Sequence, residues 1–369
     1  YIEVWIQQKS FNQKRISLNM VNKELALFIR SLMPEGRAGG DPDRPVSMWN
    51  ELDRLRGYPE KTTVVIFRTR GCSWYRFSSC SMCGYFNDTQ NVTEENLYHQ
   101  IDHVASTLNS EVLKVFTSGS FLDPVEIPDQ VRSYFYEKIG SKVSKLLVES
   151  RTEYIRPERM EELKKIGISV RIAIGLESAN DYLIENSINK GSSFRKYMDA
   201  ALTAKKYGME IRTYLLFKPP FISEKAAIAD VLESIRKVRD ITTDVSINPT
   251  NIQKNTLVEY LWKNGLYRPP RLYSLARVLI EGMKIGPEVI SYPTGGNKER
   301  GVHNDTFDDK LLDLIVESSL NQDVKDLERY MESLDLSTFW DMIEAEDRAM
   351  VQVDFERVIR QALSAVPEI

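Results

Sequence analysis

Six short runs of β-branched and aliphatic residues, each followed by a longer stretch with apolar positions at helical spacing, organise the middle of the chain. TTVVIFRT (62–69), VLKVFTS (112–118), KLLVES (145–150), SVRIAIGLES (169–178), MEIRTYLLFK (209–218) and TTDVSINP (242–249) predict strands. Between them NLYHQIDHVASTLN, RPERMEELKKIG, SFRKYMDAALTAKKYG and EKAAIADVLESIRKVRD predict amphipathic helices. Alternating strand and helix implies an α/β fold with a parallel sheet and right-handed crossovers. Six units are two short of a closed (β/α)8 barrel, so the expected core is an open, partial TIM-like (β/α)6 barrel over residues 62–255.

The flanks read differently. Residues 1–61 are mostly polar, with one helical patch, VNKELALFIRSLM, and a Gly/Pro/Asp-rich linker, GRAGGDPDRPVS. The first nineteen residues, ahead of Met20, read as an extension of little consequence. Residues 256–369 read as a loop and a mainly helical region that packs on the barrel or on a partner protein.

This layout gives meaning to the thiols. Cys72, Cys80 and Cys83, the only cysteines, form C-x7-C-x2-C in one loop directly after the first predicted strand. In βα barrels the chemistry sits at the C-terminal ends of the strands. Three readings are open. A closed zinc site wants four protein ligands, and the nearest histidine, His99, lies sixteen residues past Cys83 in a predicted helix. A disulfide with an odd thiol belongs to secreted chains, and no cleavable apolar signal is evident at this N-terminus. A 4Fe–4S cluster takes thiolates, and three protein ligands leave one iron open to a further ligand. Polar groups follow the other strands too: Thr117–Ser120, Glu149–Arg151, Gly175–Ser178, Lys218 and Asn248–Asn251. Each alone could cap a helix; together they converge on the cysteine loop.

Charge and composition refine the picture. Hydrophobic content of 42% and charge of 28% are globular values, and no run of about 18 apolar residues offers to span a membrane. A soluble, cytoplasmic protein is expected. Net charge is −4, but residues 302–369 hold 17 Asp or Glu against 6 Lys or Arg, a net of −11, which leaves +7 on residues 1–301. A mildly basic body tolerates an RNA partner; the acidic tail does not.

The text around the thiols carries a resemblance. FRTRGCSW, CSMCGYFND, TSGSFLD, ESRTEYI, IGLESAND, and NPTNIQKNTLVEYLW with YRPP are similar to the radical S-adenosylmethionine (radical SAM) superfamily. Over residues 48–305 they resemble one subfamily of it, the archaeal radical SAM subunits of archaeosine synthase, related to the Elp3-like tRNA-modifying enzymes. The spacing departs from the superfamily's commonest C-x3-C-x2-C.

The resemblance implies that Cys72, Cys80 and Cys83 hold a 4Fe–4S cluster whose open iron binds the methionyl end of S-adenosylmethionine (SAM). It places Met82 beside the adenine, Ser118, Gly119 and Ser120 at the SAM amine, and Glu149 and Arg151 at its ribose and carboxylate. The superfamily's Gly-Gly-Glu glutamate is absent. Glu177, Lys218 and His303 are then candidate catalytic residues, and Asn248, Arg300 and Asn304 candidate substrate contacts. Arg300, His303 and Asn304 lie in the loop SYPTGGNKERGVHND (291–305), where Asp305 stands in place of a cysteine usual in the subfamily.

The implied substrate is tRNA bearing a lysyl-modified 7-cyano-7-deazaguanine in its D-loop, made by a lysine-transferring partner subunit. The implied reaction breaks the bond between the lysine nitrogen and its side-chain carbon, with a reducing electron donor and no membrane involved. Trp74, Tyr75, Arg76, Tyr267, Arg268 and Arg271 are candidates to grip RNA. Two alternatives stand beside this: an Elp3-like radical SAM enzyme acting on another tRNA base, a small molecule or a protein, and a non-catalytic metal-binding scaffold.

Overall fold

The computed structural model describes residues 15–35 and 39–350, without the side chains of residues 15–22 and of Arg76. The expectations for the first fourteen residues, for the end of the acidic tail (351–369) and for Arg76 as an RNA contact lie outside the described residues.

One curled sheet of eight strands carries the fold: β1 (Ser47–Asp53), β2 (Glu60–Ile66), β3 (Val112–Phe116), β4 (Lys145–Ser150), β5 (Ser169–Glu177), β6 (Glu210–Phe217), β7 (Asp244–Pro249) and β8 (Glu288–Ile290), in sequential order. β1 pairs with β2 antiparallel, and every later pair is parallel. All six predicted strands are present as β2 to β7. The sheet corrects the six-strand expectation at both ends. β1 falls inside the stretch read as an extension, and β8 falls beyond residue 255. Neither has the apolar run of a buried strand: only Asp53 of SMWNELD is buried, and β8 is three residues long.

The longer helices are α1 (Arg15–Leu32), α2 (Glu94–Thr107), α3 (Asp129–Ile139), α4 (Pro157–Lys164), α5 (Phe194–Lys206), α6 (Glu224–Val238), α7 (Leu257–Lys263), α8 (Leu272–Met283), α9 (Asp309–Asn321), α10 (Lys325–Glu332) and α11 (Ser337–Met350). Hydroxyl side chains start four of them: Thr93, Ser193, Ser223 and Thr256 each accept a backbone N–H from the first turn, which satisfies a donor the helix leaves orphaned. Aliphatic side chains on the outer face of the sheet and the inner faces of the helices form one large core. α1 lies on α7 through Leu25, Phe28, Ile29, Leu257 and Leu261. α11 packs on α6, with Lys225 paired to Glu344 at 2.6 Å and Arg277 of α8 lying 4.9 Å over Trp340. The described part of the acidic region thus packs on the barrel's own helices. No helix among the described residues is long and apolar enough to cross a membrane.

The inside of the barrel is charged at the start of the strands. Arg212 bridges Asp53 (2.8 Å) and Asp244 (2.7 Å), Lys114 reaches Asp53 (2.7 Å), and Arg171 reaches Asp244 (2.6 Å). Burial works to raise the Asp53 carboxyl, but Arg212 and Lys114 outweigh it and hold the group below its usual range. This network makes a floor. Across the open side, Arg54 at the end of β1 meets Glu288 of β8 at 2.9 Å and donates to the Leu320 carbonyl at 2.6 Å.

Candidate functional site

At the other end of the strands, the loop between β2 and α2 brings the three cysteines inward. Cys72 is buried, and Cys80 and Cys83 are partly so. Burial pushes the Cys72 and Cys80 thiols up to about 12 and Cys83 to about 11, with Arg151 and Lys190 among the charges opposing the rise. The thiols act on one another: Cys80 on Cys72, Cys83 on Cys80 and Cys72 on Cys83. A metal or cluster binds the thiolate form, so its binding here would release these protons. Among the described residues no three His, Cys, Asp or Glu side chains converge to hold a single metal ion. A 4Fe–4S cluster takes each thiolate on a different iron and needs no common point for the three sulfurs, so three cysteines on one loop fit it. His99 is engaged elsewhere, with its Nδ1 3.0 Å from Asp43.

The loop is braced from three sides. Tyr75 contacts the Cys83 sulfur at 3.2 Å and donates to the Ser118 carbonyl at 3.1 Å. Ser73 donates to Asp123 at 2.5 Å. The turn after β5 wraps around it: Asp181–Leu183 runs into a π-helical turn, Ile184–Ile188, which ends at Asn189 in the left-handed region (φ 56°). There the Trp74 indole donates to the Asn189 carbonyl at 3.0 Å, and the Asn189 amide donates to Ser78 and to the Ser79 carbonyl. Ser81 N–H donates to the Ile188 carbonyl at 2.9 Å. Trp74 and Tyr75 are thereby bound into the cysteine loop.

The segment after β3 packs directly on Cys72. A Cβ on Gly119 would lie 2.6 Å from the Cys72 Cβ and 2.7 Å from its sulfur; glycine is required here by the thiol loop itself. Glu126, which the sequence reading missed, holds this segment. Its carboxylate accepts from Ser118 N–H (3.1 Å), Ser120 N–H (2.6 Å) and the Thr69 hydroxyl (2.8 Å). Burial raises it to about 7 against those donors. Ser120 also meets the Ser150 hydroxyl at 3.1 Å, joining the ends of β3 and β4.

The remaining expected residues separate into two groups. Glu149, Arg151 and Glu177 gather at the thiols. Burial raises Glu149 to about 8, opposed by a hydrogen bond from the Tyr214 phenol. Arg151 pairs with Glu153 at 2.6 Å, lies 5.7 Å over Trp74, and donates to the Lys190 carbonyl. Glu177 adopts φ 69° at a bulge in β5 and pairs with Lys190 at 2.5 Å, and both charges act on Cys80. Non-glycine residues in that backbone region are strained and cluster at functional sites. Tyr85 joins them: half its surface is accessible, yet its phenol is raised mainly by desolvation, with Glu149 and Cys83 as neighbours. Met82 is half-buried between the two later cysteines. Lys190 and Tyr85 had no distinguishing signal in the sequence, whereas Glu126, in SFLDPVE after a strand end, had one.

The other group turns elsewhere. Lys218 (φ 61°) directs its ammonium to Glu224 at 3.3 Å and to the Arg268 carbonyl at 3.0 Å, and Tyr267 donates to the Lys218 carbonyl. Asn248 is the exception: it lies on the same face of β7 as the barrel-facing Asp244, nearer the thiol end, and accepts from Ser246 at 3.2 Å. Arg300 donates to the Ile252 carbonyl and pairs with Glu259 at 2.8 Å, holding its loop to the segment that also binds Gly84 through Gln253. His303 Nδ1 lies 2.8 Å from the Gly301 carbonyl, and buried Asn304 accepts from Tyr273 N–H at the start of α8. Arg268 and Arg271 both pair with Asp305, at 3.1 and 2.8 Å.

Comparison with known proteins agrees with this geometry. Residues 66–232 match the model of the radical SAM superfamily. The archaeosine synthase subunit beta of Methanosarcina acetivorans is 36% identical over 297 residues, 77% of this chain and 86% of that protein. The protein of the same name from Thermococcus kodakarensis is 36% identical over 298 residues, 77% of this chain and 92% of that one. Among solved structures, the Methanocaldococcus infernus Elp3 lacking its N-terminus has a TM-score of 0.48 at 16% identity, over 73% of this chain and 62% of that one. The chain belongs to the radical SAM superfamily, in the family that includes the archaeosine synthase beta subunits, and its cofactors are a 4Fe–4S cluster and S-adenosylmethionine.

Proposed function

We propose that this chain is a radical SAM lyase of archaeosine formation in tRNA. It acts after a lysine-transferring partner subunit, on the lysyl-modified 7-cyano-7-deazaguanine of the D-loop. It breaks the bond between the lysine nitrogen and its side-chain carbon, so that the nitrogen stays with the base as the formamidine. The observation that carries the reading is the set of three cysteines on one loop at the C-terminal end of the strands, with Arg151, Glu177 and Lys190 as charged neighbours. The relatives named archaeosine synthase subunit beta support archaeosine formation as its setting.

Cys72, Cys80 and Cys83 would hold the cluster, Ser118 and Ser120 the SAM amine, Glu149 its ribose and Arg151 its carboxylate, to which a guanidinium binds as a fork. When bound with an external electron donor, this pair of cofactors supplies a 5′-deoxyadenosyl radical able to take hydrogen from an unactivated methylene. The chain's own contribution is placement. Glu126 sets the Ser118–Ser120 segment, and the floor around Arg212 closes the strand starts. The Glu177–Lys190 pair presents fixed charge to whatever lies against the thiols.

The test supplies anaerobically reconstituted protein, a reductant and SAM with tRNA carrying the lysyl-modified base, and follows the RNA by mass. Loss of the lysine side chain supports the reading. SAM cleavage with no change in RNA mass sinks the substrate assignment while sparing the superfamily. Cys80→Ala should abolish 5′-deoxyadenosine formation, and an intact yield would overturn the cluster assignment.

A further inference from the structure

The cysteine loop, Arg70 to Asp88, holds five aromatic side chains, and four have work inside the fold. Trp74 and Tyr75 brace the loop, Phe86 is buried with its ring 5.5 Å from Tyr75, and the Tyr85 phenol lies beside Cys83 and Glu149. Phe77 does the opposite. At 75% exposure it is the most exposed large apolar side chain among the described residues. It stands between Cys72 and Cys80, on the loop that carries the reactive centre.

The ring is outward but not loose. Its centroid lies 6.3 Å from that of Trp74, and its N–H donates to the Trp74 carbonyl at 3.1 Å. Trp74 is itself clamped by Asn189, by the Arg151 guanidinium, and by Gly191, where a Cβ would come within 2.7 Å of the indole. The next residue, Ser78, donates to the Ala26 carbonyl of α1 at 3.0 Å. A cation stands beside this base: exposed Arg30 of α1 donates to the carbonyl of Tyr75, two residues before Phe77, at 2.6 Å.

A braced aromatic face with an exposed arginine near its base matches an unstacked nucleobase and its phosphate, because any base has a π-face and the backbone needs Lys and Arg. We propose that Phe77 is a stacking platform for a nucleobase of the RNA substrate, at the edge of the reaction site. The assignment rests on the tRNA reading above and adds the residue that grips the RNA.

The experiment measures binding of fluorescently labelled tRNA to the reconstituted full chain by anisotropy, for wild type, Phe77→Ala, Phe77→Leu and Phe77→Trp. Phe77→Ala and Phe77→Leu should bind roughly tenfold or more weakly, and Phe77→Trp like wild type, with iron content and SAM binding unchanged in all. Wild-type affinity in Phe77→Leu or Phe77→Ala overturns the platform. So does a loss seen only in affinity for the lysine-transferring subunit, which would make Phe77 a protein contact. If wild type itself fails to bind tRNA, the RNA reading falls along with the platform; tight wild-type binding with an unaffected alanine variant removes the platform alone.

Discussion

Replacing Gly119 by alanine tests how the cluster loop is held. The new methyl would sit 2.6 Å from the Cys72 Cβ, 2.7 Å from its sulfur and 2.8 Å from Glu126 Oε1. Carbon atoms pack at about 3.5–4.0 Å, so something must yield by roughly 1 Å. The Gly119 side is pinned on both flanks, by Ser118 N–H and Ser120 N–H on the Glu126 carboxylate and by the Ser120–Ser150 contact. Cys72 is therefore the part that moves. Overpacking of this kind costs about 1–3 kcal/mol, which the fold survives, but a displacement of about 1 Å is large against a metal–ligand bond. The assay is iron and sulfide per chain after anaerobic reconstitution, with low-temperature EPR of the reduced cluster in the presence and absence of SAM. Gly119→Ala should show lower cluster occupancy and lose the spectral change that SAM induces. Gly39→Ala, which meets nothing within 4 Å, serves as the control. Full iron and a wild-type EPR response to SAM in Gly119→Ala would refute the argument.

Other substitutions probe different parts of the same frame. Glu126→Ala leaves two buried backbone donors and the Thr69 hydroxyl without their acceptor, and urea unfolding should show a loss of about 2–4 kcal/mol. Arg212→Met takes from Asp53 and Asp244 the cation they share, leaving each with one partner, Lys114 and Arg171, and should cost about 3–5 kcal/mol, read as a large fall in the melting temperature. Asp230 is buried, accepts from Ser178 at 2.7 Å, and is raised to about 7 by desolvation. A carboxyl whose folded pKa lies above its unfolded value binds protons more tightly when folded, so stability falls as pH rises from about 4 to 7 and is flat beyond. Asp230→Asn should flatten that slope and be about 1–3 kcal/mol more stable than wild type at pH 8 in urea titrations. Equal pH slopes for the two proteins would count against it.

The strands β2 to β7 were legible because a parallel strand covered on both faces is apolar along its length. β1 was not, since one of its faces meets water, and β8 is too short to stand out. The thiols could be read from their clustering alone. Side-chain direction was not readable at that level. Lys218 sits at a strand end as expected, but its left-handed backbone carries the ammonium to Glu224, and Asn304 serves the start of α8. Lys190 reaches the thiols only because the turn after β5 folds back through a π-helical segment, an event of tertiary structure. Asp305, noted in the sequence only as a missing cysteine, proves to be the acceptor that ties Arg268 and Arg271 together.

The side-chain link between the first and last strands has its own consequence. β1 and β8 share no backbone ladder, and the Arg54–Glu288 pair, with Glu288 one-third exposed, spans the gap. A seam fastened by a partly hydrated ion pair can part without breaking a single sheet hydrogen bond, and the strength of its fastening varies with ionic strength. The barrel is in effect a split ring whose clasp is made of side chains alone, the partly hydrated Arg54–Glu288 pair with the buried Arg212–Asp53 pair behind it.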